Sequence, residues 1–205
     1  MRKQLLKISE IFYSLQGEGA RAGEPSIFIR LQGCSVKNTC YSSGIICDTE
    51  FESGKEWDIK NIKDFIHKYN CDWIVWTGGE PLDQLTKEII DFFKPYKQAI
   101  ETSGIYAPPS NLDWVVLSPK ISEDIILKKF LLRYQDDVHC DELRWVRKKL
   151  EEIPDTKIKA KKYYISPHFH KEEVDYKNLK WCIRLCLDNP KWSLSMQQHK
   201  IWKIE

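Results

Sequence analysis

Short apolar runs alternate with helical stretches along most of the chain. Residues 26–31 (SIFIRL) read as a strand, 59–69 as an amphipathic helix and 73–76 (WIVW) as a short buried strand. A helix follows at 85–93, a strand at 98–101, a Pro-Pro-Ser loop at 108–110 and a strand at 114–117 (WVVL). Residues 142–146 and 163–166 carry weaker strand patterns, 176–187 a helical one, and 192–195 a last strand. Strands alternating with helices imply a parallel α/β sheet. A full eight-unit barrel would be cramped at this length, so the pattern predicts an incomplete TIM-like parallel barrel.

Composition narrows the class. The chain has 205 residues, which favours one domain spanning 1–205 and suffices for a sizeable core. With 32 basic and 30 acidic residues the net charge is +2, which argues against a strongly basic nucleic-acid binder or an acidic tail protein. Apolar residues make up 42% of the chain, which excludes wholesale disorder. No apolar run approaches the ~18 residues of a membrane span, and Lys7 interrupts the N-terminal apolar stretch too early for a signal peptide. The expected location is the cytoplasm. The basic run at 157–162 (KIKAKK) reads as a solvated strand face.

In a reducing compartment, clustered cysteines point to metal binding or chemistry rather than to disulfides. Cys34, Cys40 and Cys47 fall within fourteen residues, directly after the first predicted strand. Three thiolates on one loop can hold one metal centre. If that centre is a 4Fe–4S cluster, one iron stays open for a chelating small molecule. Zinc is the alternative, although no CxxC pair is present, and three ordinary loop cysteines are the third reading. Cys182 and Cys186, four apart on one helix face, read as core packing, as do Cys71 and Cys140. His168 and His170 share a strand face and read as surface histidines rather than an independent metal site.

Polar residues gather where strands end. Thr77-Gly78-Gly79-Glu80-Pro81 follows the WIVW strand; its carbonyls and the Glu80 carboxylate can accept from an ammonium group. Glu101-Thr102-Ser103-Gly104 and Ser118-Pro119-Lys120 occupy two further strand ends, and ligands in α/β folds sit at such ends. Each alone is an ordinary turn; together they suggest one shared ligand site. Arg30, inside a strand, needs an anion and reads as a carboxylate clamp.

Taken together, these stretches resemble the 7-carboxy-7-deazaguanine synthases, a family of radical S-adenosylmethionine (SAM) enzymes. The resemblance runs from Glu10-Ile11-Phe12-Tyr13-Ser14-Leu15-Gln16-Gly17-Glu18-Gly19 through Phe28-Ile29-Arg30, Gly33-Cys34 and Cys47-Asp48-Thr49-Glu50-Phe51. It continues through the Gly-Gly-Glu, Glu-Thr-Ser-Gly and Ser-Pro-Lys turns and Asp141-Glu142-Leu143-Arg144. It ends at Trp192-Ser193-Leu194-Ser195-Met196-Gln197-Gln198-His199-Lys200, the most diagnostic stretch.

The resemblance implies a trimmed TIM-like barrel of the radical SAM type, with an extended cluster-binding loop at about 34–57. It implies a 4Fe–4S cluster on Cys34, Cys40 and Cys47, SAM, and Mg²⁺ on Thr49. Gly78, Gly79, Glu80, Thr102, Ser103, Ser118 and Lys120 would hold SAM. Leu15, Gln16, Glu18, Arg30, Thr77, Gln197 and His199 would hold the substrate, and Phe12 or Tyr13 would supply a flat wall for it. The implied reaction starts when a reduced cluster splits SAM into methionine and a 5′-deoxyadenosyl radical. The radical abstracts a hydrogen from 6-carboxy-5,6,7,8-tetrahydropterin, the ring contracts, ammonia leaves and 7-carboxy-7-deazaguanine forms, the entry to queuosine-type 7-deazapurines. A flavodoxin or ferredoxin as electron donor, a homodimer, and no direct partnership with nucleic acid or membrane complete the expectation.

The chain departs from the family's CxxxCxxC spacing: five residues separate Cys34 from Cys40 and six separate Cys40 from Cys47. Gly44 stands where the middle cysteine would be, and Ser103 replaces the usual Asn. Two alternatives share part of this pattern: a radical SAM activating enzyme acting on a partner protein, and a non-enzymatic zinc-binding protein.

Overall fold

The computed structural model describes residues 4–42, 47, 49–130, 137–169 and 173–204. A nine-stranded sheet runs through them. Its strands are β1 (Leu5–Leu15), β2 (Pro25–Leu31), β3 (Lys55–Asp58), β4 (Trp73–Gly78), β5 (Lys97–Thr102), β6 (Trp114–Leu117), β7 (Cys140–Arg147), β8 (Ala160–Pro167) and β9 (Trp192–Leu194). The spatial order is β3-β1-β2-β4-β5-β6-β7-β8-β9. The β3/β1 and β1/β2 pairs are antiparallel, and every pair from β2/β4 to β8/β9 is parallel. β3 and β9 remain edges, so the barrel is incomplete, as the length predicts.

Of the helices, α1 (Lys37–Ser42) lies in the cysteine loop, α2 (Ile59–Ile66), α3 (Lys87–Phe92), α4 (Glu123–Lys129) and α5 (Tyr176–Asp188) pack on the outer face, and α6 (Gln198–Trp202) lies at the mouth. Short polar side chains start several of them. Asp58 accepts from the Lys60 amide at the head of α2, and Asp175 accepts from the Lys177 and Asn178 amides at the head of α5.

The pleat sorts the strand residues by parity. One set (Ile27, Ile29, Ile74, Trp76, Ile100 and Val115 among others) packs under the helices in the main core. The other set faces the lumen. Its lower half is apolar: Phe12 stacks on Phe28 at 4.9 Å between centroids, beside Val75, Ala99, Trp73 and Trp114. Arg21 closes that end, with its guanidinium 3.6 Å above the Trp73 ring and a bond to Ser26. The upper half, towards the carboxyl ends of the parallel strands, carries Arg30, Thr77, Glu101, Glu142 and Arg144. Parallel barrels read as continuous apolar strands because both faces are covered; here the inner face turns polar one end up.

Several elements differ from the expectation. β1 is absent from the sequence reading because its pairing register shifts between Ile8 and Glu10, which breaks the period of two. α1 and β3 stand inside what reads as a plain loop at 34–57. The predicted helices at 59–69 and 85–93 shorten to α2 and α3. The basic run at 157–162 is only partly a strand face: Ile158 is buried in the main core, β8 begins at Ala160, and Lys161 pairs with buried Asp141 at 3.1 Å. Cys182 and Cys140 are buried core residues, as expected. His168 follows β8 near Asp175, and His170 lies outside the described residues.

Ile100 is fully buried at the centre of the sheet. Ile100→Ala is expected to lower unfolding free energy by about 2–5 kcal/mol, read from denaturant unfolding curves.

Candidate active site

The carboxyl ends of β2, β4, β5 and β7 meet two chain segments that are remote in sequence: the 16–19 loop after β1 and the segment after β9. The amide of Gln198 donates to the Gly17 carbonyl at 2.9 Å, and the Gly19 amide donates to Ser195 Oγ at 2.9 Å. These bonds bring the last strand's exit to the first strand's exit across the open seam. A Cβ on Gly17 would lie 2.2 Å from His199 Nδ1, so the glycine is what allows the imidazole to sit against the loop. The open-mouthed cavity between them is about 340 Å³. Leu15, Gln16, Glu18, Arg30, Thr77, Gln197 and His199, the whole expected substrate-binding set, line it. Thr49 lines the same cavity. Phe12 is one of its walls, whereas Tyr13, of opposite parity, stacks on Tyr69 outside it.

The polar groups form one network. Arg144 is 6% exposed and donates Nη1 to Glu101 Oε1 at 3.0 Å and to Glu18 Oε2 at 3.4 Å. Its Nε donates to Glu142 Oε2 at 3.0 Å and its Nη2 to the Glu18 carbonyl at 3.2 Å. Gln16 Nε2 donates to Glu101 Oε1 at 3.3 Å, and Thr77 Oγ1 donates to Glu101 Oε2 at 3.1 Å. Burial alone would lower the Arg144 pKa, but the three carboxylates carry it above its ordinary value. Burial pushes the Glu18 carboxyl up; Arg144 pulls it down, the Glu101 charge pushes it up, and His199 pulls it down. Arg30 points its Nε at Glu10, 3.4 Å away, and lies 5.5 Å over the Phe12 ring.

The Gly-Gly-Glu turn packs against the start of the cysteine loop. The Glu80 amide donates to the Gly33 carbonyl, and the Gly33 amide donates to the Phe51 carbonyl. A Cβ on Gly79 would stand 1.8 Å from the Gly33 carbonyl oxygen and 2.8 Å from Cys34 Cβ, so only bare backbone fits between the turn and the cysteine. Glu80 is 1% exposed. Its carboxylate accepts from Thr102 Oγ1 at 2.7 Å, the Ser103 amide at 2.9 Å, Ser103 Oγ and the Leu82 amide. Burial pushes its pKa up against these donors. Glu80 therefore latches the end of β4 to the end of β5. Ser118 donates its amide to the Thr102 carbonyl, and the Lys120 amide reaches the Ser103 carbonyl, so the expected SAM-binding residues occupy adjacent strand ends.

The three thiols are free and lie near one another in charge. Burial pushes Cys34 up to about 11, with Cys40 among the further causes. Burial also raises Cys40, opposed by Lys120 and reinforced by Cys47. Cys34 and Cys40 are half-buried and Cys47 is exposed. Among the described residues, no group of three His, Cys, Asp or Glu side chains stands at metal-binding distance. The donor chemistry fits a thiolate-bound cluster, and the loop must bring the sulfurs together and shed their protons to hold one.

Glu101, Glu142, Arg144 and Ser195 are absent from the expected site list. The argument that singled out Arg30, a charge inside a strand, applies equally to Glu101, Glu142 and Arg144 and would have found them.

The open sheet, the cysteine loop and the Gly-Gly-Glu turn at the strand ends define a trimmed α/β barrel of the radical SAM type. No family model matches the chain. The crystal structure of QueE from Escherichia coli superposes with a TM-score of 0.68 over 95% of each chain at 24% identity, which establishes the fold. The 7-carboxy-7-deazaguanine synthase of Haemophilus influenzae is 34% identical, covering 97% of this chain and 93% of its own. Those of Buchnera aphidicola and Bacteroides thetaiotaomicron are 35% and 33% identical, each covering at least 96% of this chain and 98% of its own. The chain belongs to the 7-carboxy-7-deazaguanine synthase family.

Glu80→Ala leaves the Thr102 and Ser103 donors buried without their acceptor. A loss of about 1–3 kcal/mol in chemical unfolding is expected, with no gain from added salt.

Proposed function

We propose that the chain contracts 6-carboxy-5,6,7,8-tetrahydropterin to 7-carboxy-7-deazaguanine with loss of ammonia. The observation that carries this reading is the composition of the 340 Å³ cavity. A guanidinium (Arg30) and an imidazole (His199) are available there for an acid group. Two carboxylates (Glu18, Glu101) and the Gln16 amide are available for an N–H-rich edge, and Phe12 offers a flat apolar wall. A small aromatic-sized acid bearing a row of N–H donors satisfies all of them at once. The forked donors of Arg30 match a carboxylate.

Cys34, Cys40 and Cys47 would hold a 4Fe–4S cluster, with residues of the 34–57 loop folding around it. Gly78 and Gly79 would accept from the SAM ammonium, in a frame that Glu80 holds rigid. Thr102, Ser103, Ser118 and Lys120 would meet the polar groups of SAM from the next two strand ends. When bound, the cluster and SAM supply the radical that begins the rearrangement. The chain's own residues orient the pterin, and the 195–199 segment shields the mouth of the barrel from water. Thr49, on the cavity wall, would ligate Mg²⁺ alongside the substrate carboxylate, since a hard cation takes oxygen ligands.

A flavodoxin or ferredoxin as donor, a homodimer, a single domain over 1–205 and work in the cytoplasm belong to the same reading. Among the described residues no helix is long and apolar enough to cross a membrane. Family membership sets aside the protein-activating and zinc-protein alternatives.

The test is anaerobic. Reconstituted protein given SAM, reductant, Mg²⁺ and the tetrahydropterin is expected to yield 7-carboxy-7-deazaguanine by mass detection. Cys40→Ala is expected to lose cluster iron and product together. SAM cleavage without any deazaguanine would remove the substrate reading, and full activity in Cys40→Ala would remove the ligand set.

A further inference from the structure

Arg144 is not among the described residues that line the cavity, yet it touches two that do. We propose that Arg144 is a positioning residue: one guanidinium, clamped from behind, fixes where the Glu18 and Glu101 carboxylates point and holds both as acceptors. The inference rests on the reading that those carboxylates meet the N–H edge of the ligand.

The clamp behind it is Glu142. This carboxylate is fully buried; its Oε1 accepts from Trp114 Nε1 at 2.7 Å and from the Ala20 amide at 3.3 Å, which leaves Oε2 for Arg144 Nε. The guanidinium plane is thereby set before it meets the cavity. Its outward nitrogens then divide between Glu101 on β5, and the side chain and carbonyl of Glu18 on the 16–19 loop. Loop and strand are placed relative to each other by one rigid fork. Glu142, behind, completes a set of three carboxylates around one cation.

Two cavity carboxylates sharing one cation repel each other. The charged and titratable groups that face Glu18 come from several sides: Glu101 from β5, Arg144 from β7 with Glu142 paired behind it, and His199 with the Gln197 hydrogen bond from the closing segment. Arg30 of β2 lines the same cavity, and Tyr164 of β8 feels both Glu142 and Arg144. Without the guanidinium, the Glu18 carboxyl loses the charge that pulls it down and takes a proton more readily. It then offers an O–H where the ligand edge needs an acceptor. A lysine at this position keeps the charge but not the fork, so it separates ionisation from placement.

The experiment uses the full, cluster-reconstituted chain in its oxidised state with carboxyl-¹³C glutamate, the Glu18 signal being assigned by Glu18→Gln. Arg144→Gln is expected to move the Glu18 titration up by about one pH unit or more. Glu101→Gln removes the like charge and is expected to move it down; it carries the test if Arg144→Gln does not fold. Arg144→Lys is expected to leave the titration near that of the parent and to raise KM for the tetrahydropterin about tenfold, with a smaller change in kcat. Cleavage of SAM in the absence of pterin is expected to be unchanged in Arg144→Lys. A Glu18 titration indifferent to both neutralising substitutions, or an Arg144→Lys enzyme with parental KM, overturns the proposal. A parent chain that cleaves SAM but does not bind the tetrahydropterin overturns the reading of the cavity instead, and the titrations still decide what Arg144 does to the two carboxylates.

Discussion

Three carboxylates gathered on one buried guanidinium hold the upper half of this barrel together. Glu101 and Glu142 stand on inward positions of parallel strands, and Glu18 is folded in from a loop. Glu142 and Arg144 are buried, and either left unpaired would cost several kcal/mol of lost hydration, whereas Glu18 and Glu101 reach the cavity and lose less. Arg144 compensates all three and joins β5, β7 and the 16–19 loop in doing so. Removing one member of the buried Arg144–Glu142 pair is expected to cost about 3–5 kcal/mol, because the remaining charge stays desolvated. The same lumen needs no such device lower down, where Phe12, Phe28, Val75 and Ala99 pack against each other. One pleat therefore yields a dry floor and a charged rim, and the rim is where the ligand groups converge.

An open barrel must still enclose its site. β9 is an edge strand of only three residues, and the chain beyond it turns back over the mouth. Two backbone-directed bonds, from Gln198 to Gly17 and from Gly19 to Ser195, join its exit to the first loop. His199 enters the cavity through that junction. On the neighbouring side, Glu80 ties the ends of β4 and β5, and Gly79 packs directly against Gly33 and Cys34 at the start of the cysteine loop. The Gly-Gly-Glu turn and the cavity are thus built from separate latches on one sheet.

Much of this was readable from residue order. The WIVW and WVVL runs became β4 and β6, and the substrate-binding residues named from the family resemblance all line one cavity. What escaped did so for physical reasons. β1 hides behind a register shift at Ile8–Glu10, so its alternation does not survive a simple count. Which of Phe12 and Tyr13 faces the ligand depends on the phase of that same strand. Arg144, like Arg30, is a charge inside a strand and so asks for an anion, but only the fold shows that Glu18, 126 positions away, is one of its partners. The long spacing between Cys34, Cys40 and Cys47 says that three thiols share a loop; how a loop closes on a cluster is a matter of three-dimensional reach.

The account turns on a cavity that reads an acid at one set of groups and an N–H edge at another. Equilibrium binding of two unreactive fluorescent ligands, 6-carboxypterin and pterin, tests it most directly. The two share the N–H edge and differ only in the carboxylate. The expected result is that 6-carboxypterin binds at least about tenfold more tightly and that Arg30→Gln removes most of the difference, with His199 holding the rest, while leaving pterin affinity unchanged. Equal affinities for the two ligands, or a preference undiminished by Arg30→Gln, would contradict that reading.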